Sequence, residues 1–372
     1  MLTGRLEGLG WYTHEIMRRM VLQHPEDEFI FLFDRPYDPA FLYGPNVTPL
    51  VLFPPARHPL LWYWWFEWSV AGALRRLRPD VFFSPDSYLS LRSATPVVMT
   101  CHDLVPLHQP GQVPFAPRNY YRFFLPRFLR RADHLVTVSE FVRRDIEQTC
   151  NVDPGRISAV YNGCREGFFP LNEFVKQEVR SKYANGEHYF FYAGAIHPRK
   201  NIPRLIRAFD QFKKSSGSPQ KLLLAGRFAW QTGEVRTAVE SSEYRQDIVL
   251  LGYVDDQTLP LLLGASTALV YVSQSEGFGL PVLEAFHAEA PVITSNVTAL
   301  PEVAGDAAML VDPMSEHEIA AAMVQIVSEP GLGERLVEKG RMQRKQFDWD
   351  VAAEKIYQIL LSTAQGNKIT RP

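Results

Sequence analysis

The sequence predicts an α/β protein made of two doubly wound, Rossmann-like halves. Three observations carry that expectation. Strand-like and helix-like patterns alternate along most of the 372 residues, as in parallel sheets joined by crossover helices. The length is generous for one domain and comfortable for two. A β-branched apolar run, Thr267–Ser273, leads through a glycine turn into a helix. That strand–turn–helix unit places ligands at the carboxyl edge of such sheets.

The second half gives the clearer pattern. Strands are predicted at Tyr189–Ala195, Lys221–Gly226, Ile248–Val254, Thr267–Ser273, Pro291–Ser295 and Ala308–Val311. Helices are predicted between and after them, at Ile202–Lys214, Glu234–Glu240, Gln257–Leu263, Val282–Ala288 and Glu318–Val327. The first half repeats the theme with strands at Phe29–Phe33, Val81–Ser84, Val97–Cys101 and His134–Ser139. Its helices fall near Thr13–Leu22, Asn119–Arg131 and Glu140–Cys150. The polar stretch Tyr161–Gly163 reads as the linker, and Phe347–Leu361 as an amphipathic tail helix. The expected divisions are residues 1–162, 163–346 and 347–372. A glycine loop, Gly8-Leu9-Gly10, opens the chain directly before a helix. Such loops follow a strand, so a first strand is expected upstream of the start, without which the sheet keeps an unpaired central edge.

Composition narrows the function classes. Hydrophobic residues make up 46% and charged residues 22%, enough for an ordinary core. A formal charge of −2 argues against a nucleic-acid partner held by bulk electrostatics. Cys101, Cys150 and Cys164 show no metal-ligand spacing and leave an odd thiol, which points to a reduced cytoplasmic setting. Nothing resembles a signal peptide and no apolar run reaches membrane-spanning length. The expectation is a soluble or at most peripheral protein.

The chemistry concentrates between Ser275 and Ala290. Glu276 and Glu284 bracket the turn Gly277-Phe278-Gly279-Leu280, and Pro281 fits the first position of the following helix. Gly277 and Gly279 allow close backbone approach and φ values closed to other residues. The helix N-terminus suits an anion such as phosphate. Carboxylates beside it are poor phosphate ligands and good acceptors for sugar or ribose hydroxyls. That combination points to a sugar nucleotide. Arg199-Lys200 follows the strand Tyr189–Ala195. An isolated Arg-Lys pair is more often a solvated turn, but this one shares a sheet edge with the glutamates, which favours diphosphate binding. The Gly8–Gly10 loop is either a plain turn or a contact to phosphate or acceptor. Cys101-His102-Asp103 ends a strand; His102 at that edge suits a sugar hydroxyl, while Asp103 either orients the imidazole or caps the next segment. Trp62–Trp68 is the most unusual stretch. Leu61, Trp65 and Trp68 would share one helical face, and the remaining rings exceed what a core face needs. A peripheral membrane contact, or a greasy acceptor surface, is the functional alternative to core packing.

These motifs, in this order, resemble family 4 glycosyltransferases of the GT-B architecture over nearly the whole length. The resemblance rests on Glu276-Gly277-Phe278-Gly279-Leu280-Pro281 with Glu284, then Ala290-Pro291-Val292-Ile293 and Leu300-Pro301-Glu302-Val303. Gly194, Arg199-Lys200-Asn201, the Gly8–Gly10 loop, His102-Asp103 and Tyr161-Asn162-Gly163 support it. It implies two facing Rossmann-like domains, with the donor bound mainly by the second and the C-terminal helix crossing back to the first. It implies a retaining enzyme with no cofactor or metal, acting on a GDP- or UDP-linked sugar. The acceptor would be a glycan or lipid-linked glycan in cell-surface polysaccharide synthesis, at the cytoplasmic side and inner face of the membrane. Mannose as the hexose rests on similarity to bacterial mannosyltransferases of surface polysaccharides.

By position, Glu284 would accept from the ribose. Glu276 would contact the transferred sugar, beside the N–H groups of Phe278 to Leu280. Arg199 and Lys200 would hold the diphosphate, His102 would lie near the sugar, and Gly194, Gly8 and Gly10 would border the donor. The departing phosphate would help deprotonate the acceptor, so no side-chain nucleophile is implied. One departure stands out: Ala195 occupies a place where many members carry arginine, leaving the diphosphate to Arg199 and Lys200. The competing readings are another GT-B enzyme, such as an epimerase or phosphorylase, and a non-catalytic sugar-nucleotide binder or partner subunit.

Overall fold

The computed structural model describes residues 6, 8–227 and 233–366. Gly4, Arg5 and Glu7 of the opening segment lie outside the described residues. The chain divides into two compact units, Met1–Gly163 with Asp348–Pro372, and Cys164–Phe347.

In the first unit, β1 (Phe29–Phe33) and β2 (Val47–Val51) form a parallel pair. A separate four-stranded sheet contains β3 (Phe82–Ser84), β4 (Val97–Cys101), β5 (His134–Thr137) and β6 (Ile157–Ala159), in that order and all parallel. β4 is buried along its whole length, which is why it reads as a continuous apolar run. Predicted strand His134–Ser139 stops at Thr137 because Ser139 turns outward and caps the helix Glu140–Cys150, its Oγ accepting from the Val142 N–H at 3.2 Å. The helix Trp349–Gly366 belongs to this unit and packs on the helix Gly8–Gln23. Arg19 Nε donates to Asp350 at 2.9 Å, Tyr357 donates to Asp27 at 2.6 Å, and His24 stacks on Tyr357. Gly163 must be glycine: a Cβ there would lie 2.5 Å from the Trp349 backbone nitrogen.

The second unit holds one six-stranded parallel sheet. Its strands are β7 (Tyr189–Ala193), β8 (Lys221–Ala225), β9 (Ile248–Gly252), β10 (Ala268–Tyr271), β11 (Val292–Ser295) and β12 (Met309–Val311). The order is β12-β11-β10-β7-β8-β9. The chain therefore winds outward in one direction from β7 and in the other from β10. The switch point lies between those neighbours, where the carboxyl ends of an open sheet leave a crevice. β7, β10 and β11 are buried at every position, as strands covered on both faces must be.

Among the elements of the described residues that escape the sequence pattern are β2, β6, and the helices Glu173–Ala184 and Leu332–Gln343. β2 carries Pro49, which discourages a strand reading, and it is tolerated in a ladder with one partner. The helix Glu173–Ala184 does carry a start signal, Asn172 accepting from the Val175 N–H at 2.9 Å.

Candidate active site

The site is built where β7 and β10 end. After β7, Gly194 adopts φ +143 and Gly226, after β8, adopts φ +153. A Cβ on Gly226 would fall 1.8 Å from the Gly194 carbonyl oxygen, so the two backbones meet only because Gly226 carries no side chain. The sequence reading missed Gly226. The chain then turns through Pro198–Lys200 to Asn201, which takes a left-handed φ of 64. Asn201 ties that turn to the neighbouring strand, its Nδ2 donating to the carbonyls of Val272 (3.0 Å) and Pro313 (2.6 Å). The Gln274 N–H closes the seam onto the Arg199 carbonyl at 2.8 Å.

This seam brings Arg199 and Lys200 against Glu276. Arg199 Nη1 is 2.8 Å from Glu276 Oε2 and donates to the Ser275 carbonyl. Lys200 Nζ is 2.5 Å from Glu276 Oε1. The Tyr271 hydroxyl donates to the same oxygen at 2.9 Å and also receives Lys200 Nζ. Lys200, Tyr271 and Glu276 are all buried. Burial alone pushes the Glu276 carboxyl up, but Arg199 and Lys200 outweigh it and hold the group at about 2. The predicted diphosphate and sugar groups thus form one ionised cluster, and Tyr271 is a member that sequence reasoning missed. Its only signal was a polar aromatic in an otherwise aliphatic strand.

Past Glu276, Gly279 adopts φ +113, and a Cβ there would lie 2.6 Å from Leu300 Cδ2. Gly277 does not share the left-handed backbone, so of the two turn glycines only Gly279 requires it. The helix runs Leu280–His287, which puts Pro281 second rather than first. Phe278 packs its ring edge-on against Phe347 at 5.7 Å, so its side chain serves the core and any ligand role falls to its backbone.

Glu284 is buried in the second turn of that helix. Arg165 Nε donates to its Oε1 at 2.8 Å, and Arg165 Nη1 reaches Asp256 at 2.5 Å. Arg165 also lies over the Phe168 ring, 5.1 Å from its centroid. Burial raises the Glu284 carboxyl and Arg165 only partly offsets this. Arg165 was not foreseen, since nothing in its local sequence marks it.

In the first unit, His102 Nε2 is 2.8 Å from the Pro85 carbonyl and its ring meets Tyr12 edge-on at 4.6 Å. A carbonyl only accepts, so Nε2 carries the proton and Nδ1 is the acceptor. Burial lowers the imidazole's pKa and keeps it neutral. Asp103 does not orient it: its Oδ1 accepts from the Val105 N–H at 3.0 Å, the capping alternative. Gly8 and Gly10 form no loop. They are the first turn of the helix Gly8–Gln23, where a Cβ on Gly8 would meet nothing within 4 Å. The N–H groups of that turn are still ones the helix itself cannot pair.

The aromatic stretch also differs from its expected face. Residues Trp65–Val70 form a π-helical segment between the helices Pro59–Trp64 and Ala71–Leu77. The wider spacing turns Trp65 and Phe66 into a cluster with Val70 and Leu74. Trp68 leaves the predicted face and stacks on Trp64 at 4.3 Å, both rings exposed. No helix among the described residues is long and apolar enough to cross a membrane.

Residues 175–343 match "Glycosyl transferases group 1", and residues 6–166 match "Glycosyltransferase Family 4". The chain is a group 1 glycosyltransferase. It is 34% identical over 281 residues to the O-antigen chain mannosyltransferase B of Escherichia coli, covering 75% of this chain and 74% of that one. It is 29% identical to the O-antigen chain mannosyltransferase RfbU of Salmonella typhimurium, covering 77% and 76%. Among solved structures it resembles WaaG, a glycosyltransferase involved in lipopolysaccharide biosynthesis, with a TM-score of 0.73, 16% identity and 96% of each chain covered. Anabaena HepE in complex with UDP and glucose gives 0.75 at 16% identity, covering 97% of this chain and 98% of that one. The fold of this glycosyltransferase is GT-B.

Proposed function

We propose that this glycosyltransferase moves a hexose, mannose, from a GDP- or UDP-linked donor to a glycan or lipid-linked acceptor with retention of configuration, in cell-surface polysaccharide synthesis. The observation that carries the reading is the Arg199–Lys200–Glu276 cluster at the sheet's switch point. It supplies two cations for a departing diphosphate and one carboxylate that stays ionised well below neutral pH for sugar hydroxyls. In this reading Glu284 accepts from the ribose and the turn from Gly277 to Leu280 borders the phosphates. Gly194 borders the donor from β7. His102 and the first turn at Gly8 and Gly10 are left as hydrogen-bonding groups of the first unit. Arg199 and Lys200 provide the charge that a metal supplies in other transferases, and the reaction then needs no metal or cofactor. Mannose is favoured by the O-antigen mannosyltransferases of E. coli and Salmonella, and a nucleotide diphosphate donor by the UDP and glucose bound to HepE.

The same proposal places the enzyme on the inner face of the membrane. Trp64 and Trp68 are exposed and stacked, Arg92 lies over Trp68 at 4.9 Å, and exposed Phe123 sits beneath Arg127 at 3.6 Å. Aromatic rings beside arginines suit a headgroup boundary.

A panel of nucleotide sugars tests the donor by melting shift and by release of nucleoside diphosphate, since a bound ligand stabilises by mass action. A mannose nucleotide is expected to give the largest shift and the fastest turnover. A panel in which another hexose wins on both readouts overturns mannose.

A further inference from the structure

The proposed ribose acceptor Glu284 is a buried carboxylate with a poor electrostatic position. Burial disfavours its charge, and Asp256 adds a second negative charge nearby. Among the described residues, the hydrogen bond it receives comes from Arg165, whose Nε takes Oε1 while Nη1 spans to Asp256. Both carboxylates raise the Arg165 guanidinium's pKa against its own burial, so the cation persists at any working pH. Among the described residues, two other arginines near the helix Leu280–His287 are turned elsewhere. Arg344 donates to the carbonyls of Phe286 and His287, and Arg341 holds Glu289.

We propose that Arg165 is a positioning residue for nucleotide recognition: it orients the Glu284 carboxylate through Oε1 and keeps it ionised, so that a ribose diol finds a charged acceptor. The inference rests on the ribose reading of Glu284. An ionised carboxylate accepts from both hydroxyls of a vicinal diol, whereas a protonated one must give up an acceptor site to its own proton. Without a cation at Oε1, burial and Asp256 together drive the group toward the protonated form. Arg165 stands two residues beyond Gly163, the last residue of the first unit's leading segment, on a stretch tied to the site by this side chain. Asp256 holds the guanidinium from its other end, which fixes the fork's plane.

The test measures binding of GDP and of UDP, each against its 2′,3′-dideoxy form, by calorimetry from about pH 5 to about pH 8. The native enzyme is expected to prefer the ribose form of the nucleotide it binds by about tenfold at every pH. Glu284→Gln is expected to lose that preference throughout. Arg165→Gln is expected to keep much of it at the alkaline end and lose it at the acid end, where Glu284 takes up a proton. Arg165→Lys is expected to restore part of the acid-end preference by returning the charge without the fork, and it reads the same effect should Arg165→Gln fold poorly. A Glu284→Gln protein with unchanged preference overturns the ribose reading itself. If Glu284→Gln loses the preference while Arg165→Gln and Arg165→Lys match the native pH profile, Arg165 has no positioning role and the ribose reading survives.

Discussion

Glu276 and Glu284 sit in one strand–turn–helix unit, both buried and both paired with an arginine, yet their carboxyls are driven in opposite directions. Glu276 is held at about 2, while Glu284 is raised above its ordinary value. The difference is one of partners rather than burial. Glu276 faces two cations and a neutral hydroxyl donor, all directed at its own oxygens. Among the described residues Glu284 faces one cation, shared with the competing carboxylate Asp256. Burial raises any carboxyl, so a second cation decides which way the balance falls. The proposed sugar-side carboxylate, Glu276, is thereby fixed in one charge state, and the proposed ribose acceptor, Glu284, depends on a single described neighbour.

The largest test of this contrast is Lys200→Ala. It leaves Glu276 with Arg199 alone and empties a buried position beside Tyr271. Breaking a buried pair from one side costs about 3 kcal/mol, and loss of a charge on the leaving group lowers turnover by roughly 100-fold. Denaturant unfolding and steady-state turnover measure the two. Turnover within about threefold of the native value would remove Lys200 from the leaving-group role. The second test uses pH. Because the folded carboxyl of Glu276 lies below its ordinary value of 4.5, its contribution is fully present above about pH 4.5 and is lost as pH falls toward about 2. A shift of that size corresponds to about 3 kcal/mol. Glu276→Gln should therefore flatten the acid limb of stability, read by urea unfolding across that window, whereas Glu284→Gln should leave it in place. Equal acid limbs in the native and Glu276→Gln proteins would show that the two cations do not hold the carboxylate as the contacts imply.

The sequence made the second unit's sheet legible because its strands are buried on both faces and read as uninterrupted apolar runs. Predicted strand ends differ from the observed ones by at most two residues, as where Ser139 turns out to cap a helix, whereas helix ends differ by up to five, as at Gly8 and Gly366. The candidate site residues Arg199, Lys200, Glu276 and Glu284 stand out in the sequence because glycine turns punctuate their segments. Their pairing does not. That Arg199 and Lys200 spend their charge on Glu276 follows from β7 lying beside β10, a neighbourhood no local pattern encodes. Arg165 was invisible for the same reason, since its carboxylate partners are 91 and 119 residues away. The π-helical segment defeated the aromatic stripe because a 3.6-residue period was assumed where the backbone widens its turn. A Gly-x-Gly run carries the pattern of a loop, but Gly8 and Gly10 sit in the first turn of a helix, where glycine's cost is small.

Tyr271→Phe is the mildest way to probe the same contrast. The ring stacks on Tyr192 and stays buried, so phenylalanine preserves shape and removes one hydroxyl. Burial, then the Glu276 charge, raises the phenol's pKa, so Tyr271 acts as a neutral donor at every working pH. Its loss takes one hydrogen bond from a carboxylate that keeps both cations, and a bond to a charged group is worth about 1.5 kcal/mol. The charged form of Glu276 is then held less well, its folded pKa moves up, and acid destabilisation begins at a higher pH. Turnover should fall only a few-fold, because Arg199 and Lys200 remain. Urea unfolding as a function of pH, beside the turnover assay, gives both numbers. If Tyr271→Phe instead matched Lys200→Ala in lost stability and turnover, the hydroxyl rather than the second cation would set Glu276 apart from Glu284, and the account of their difference by cation number would fall.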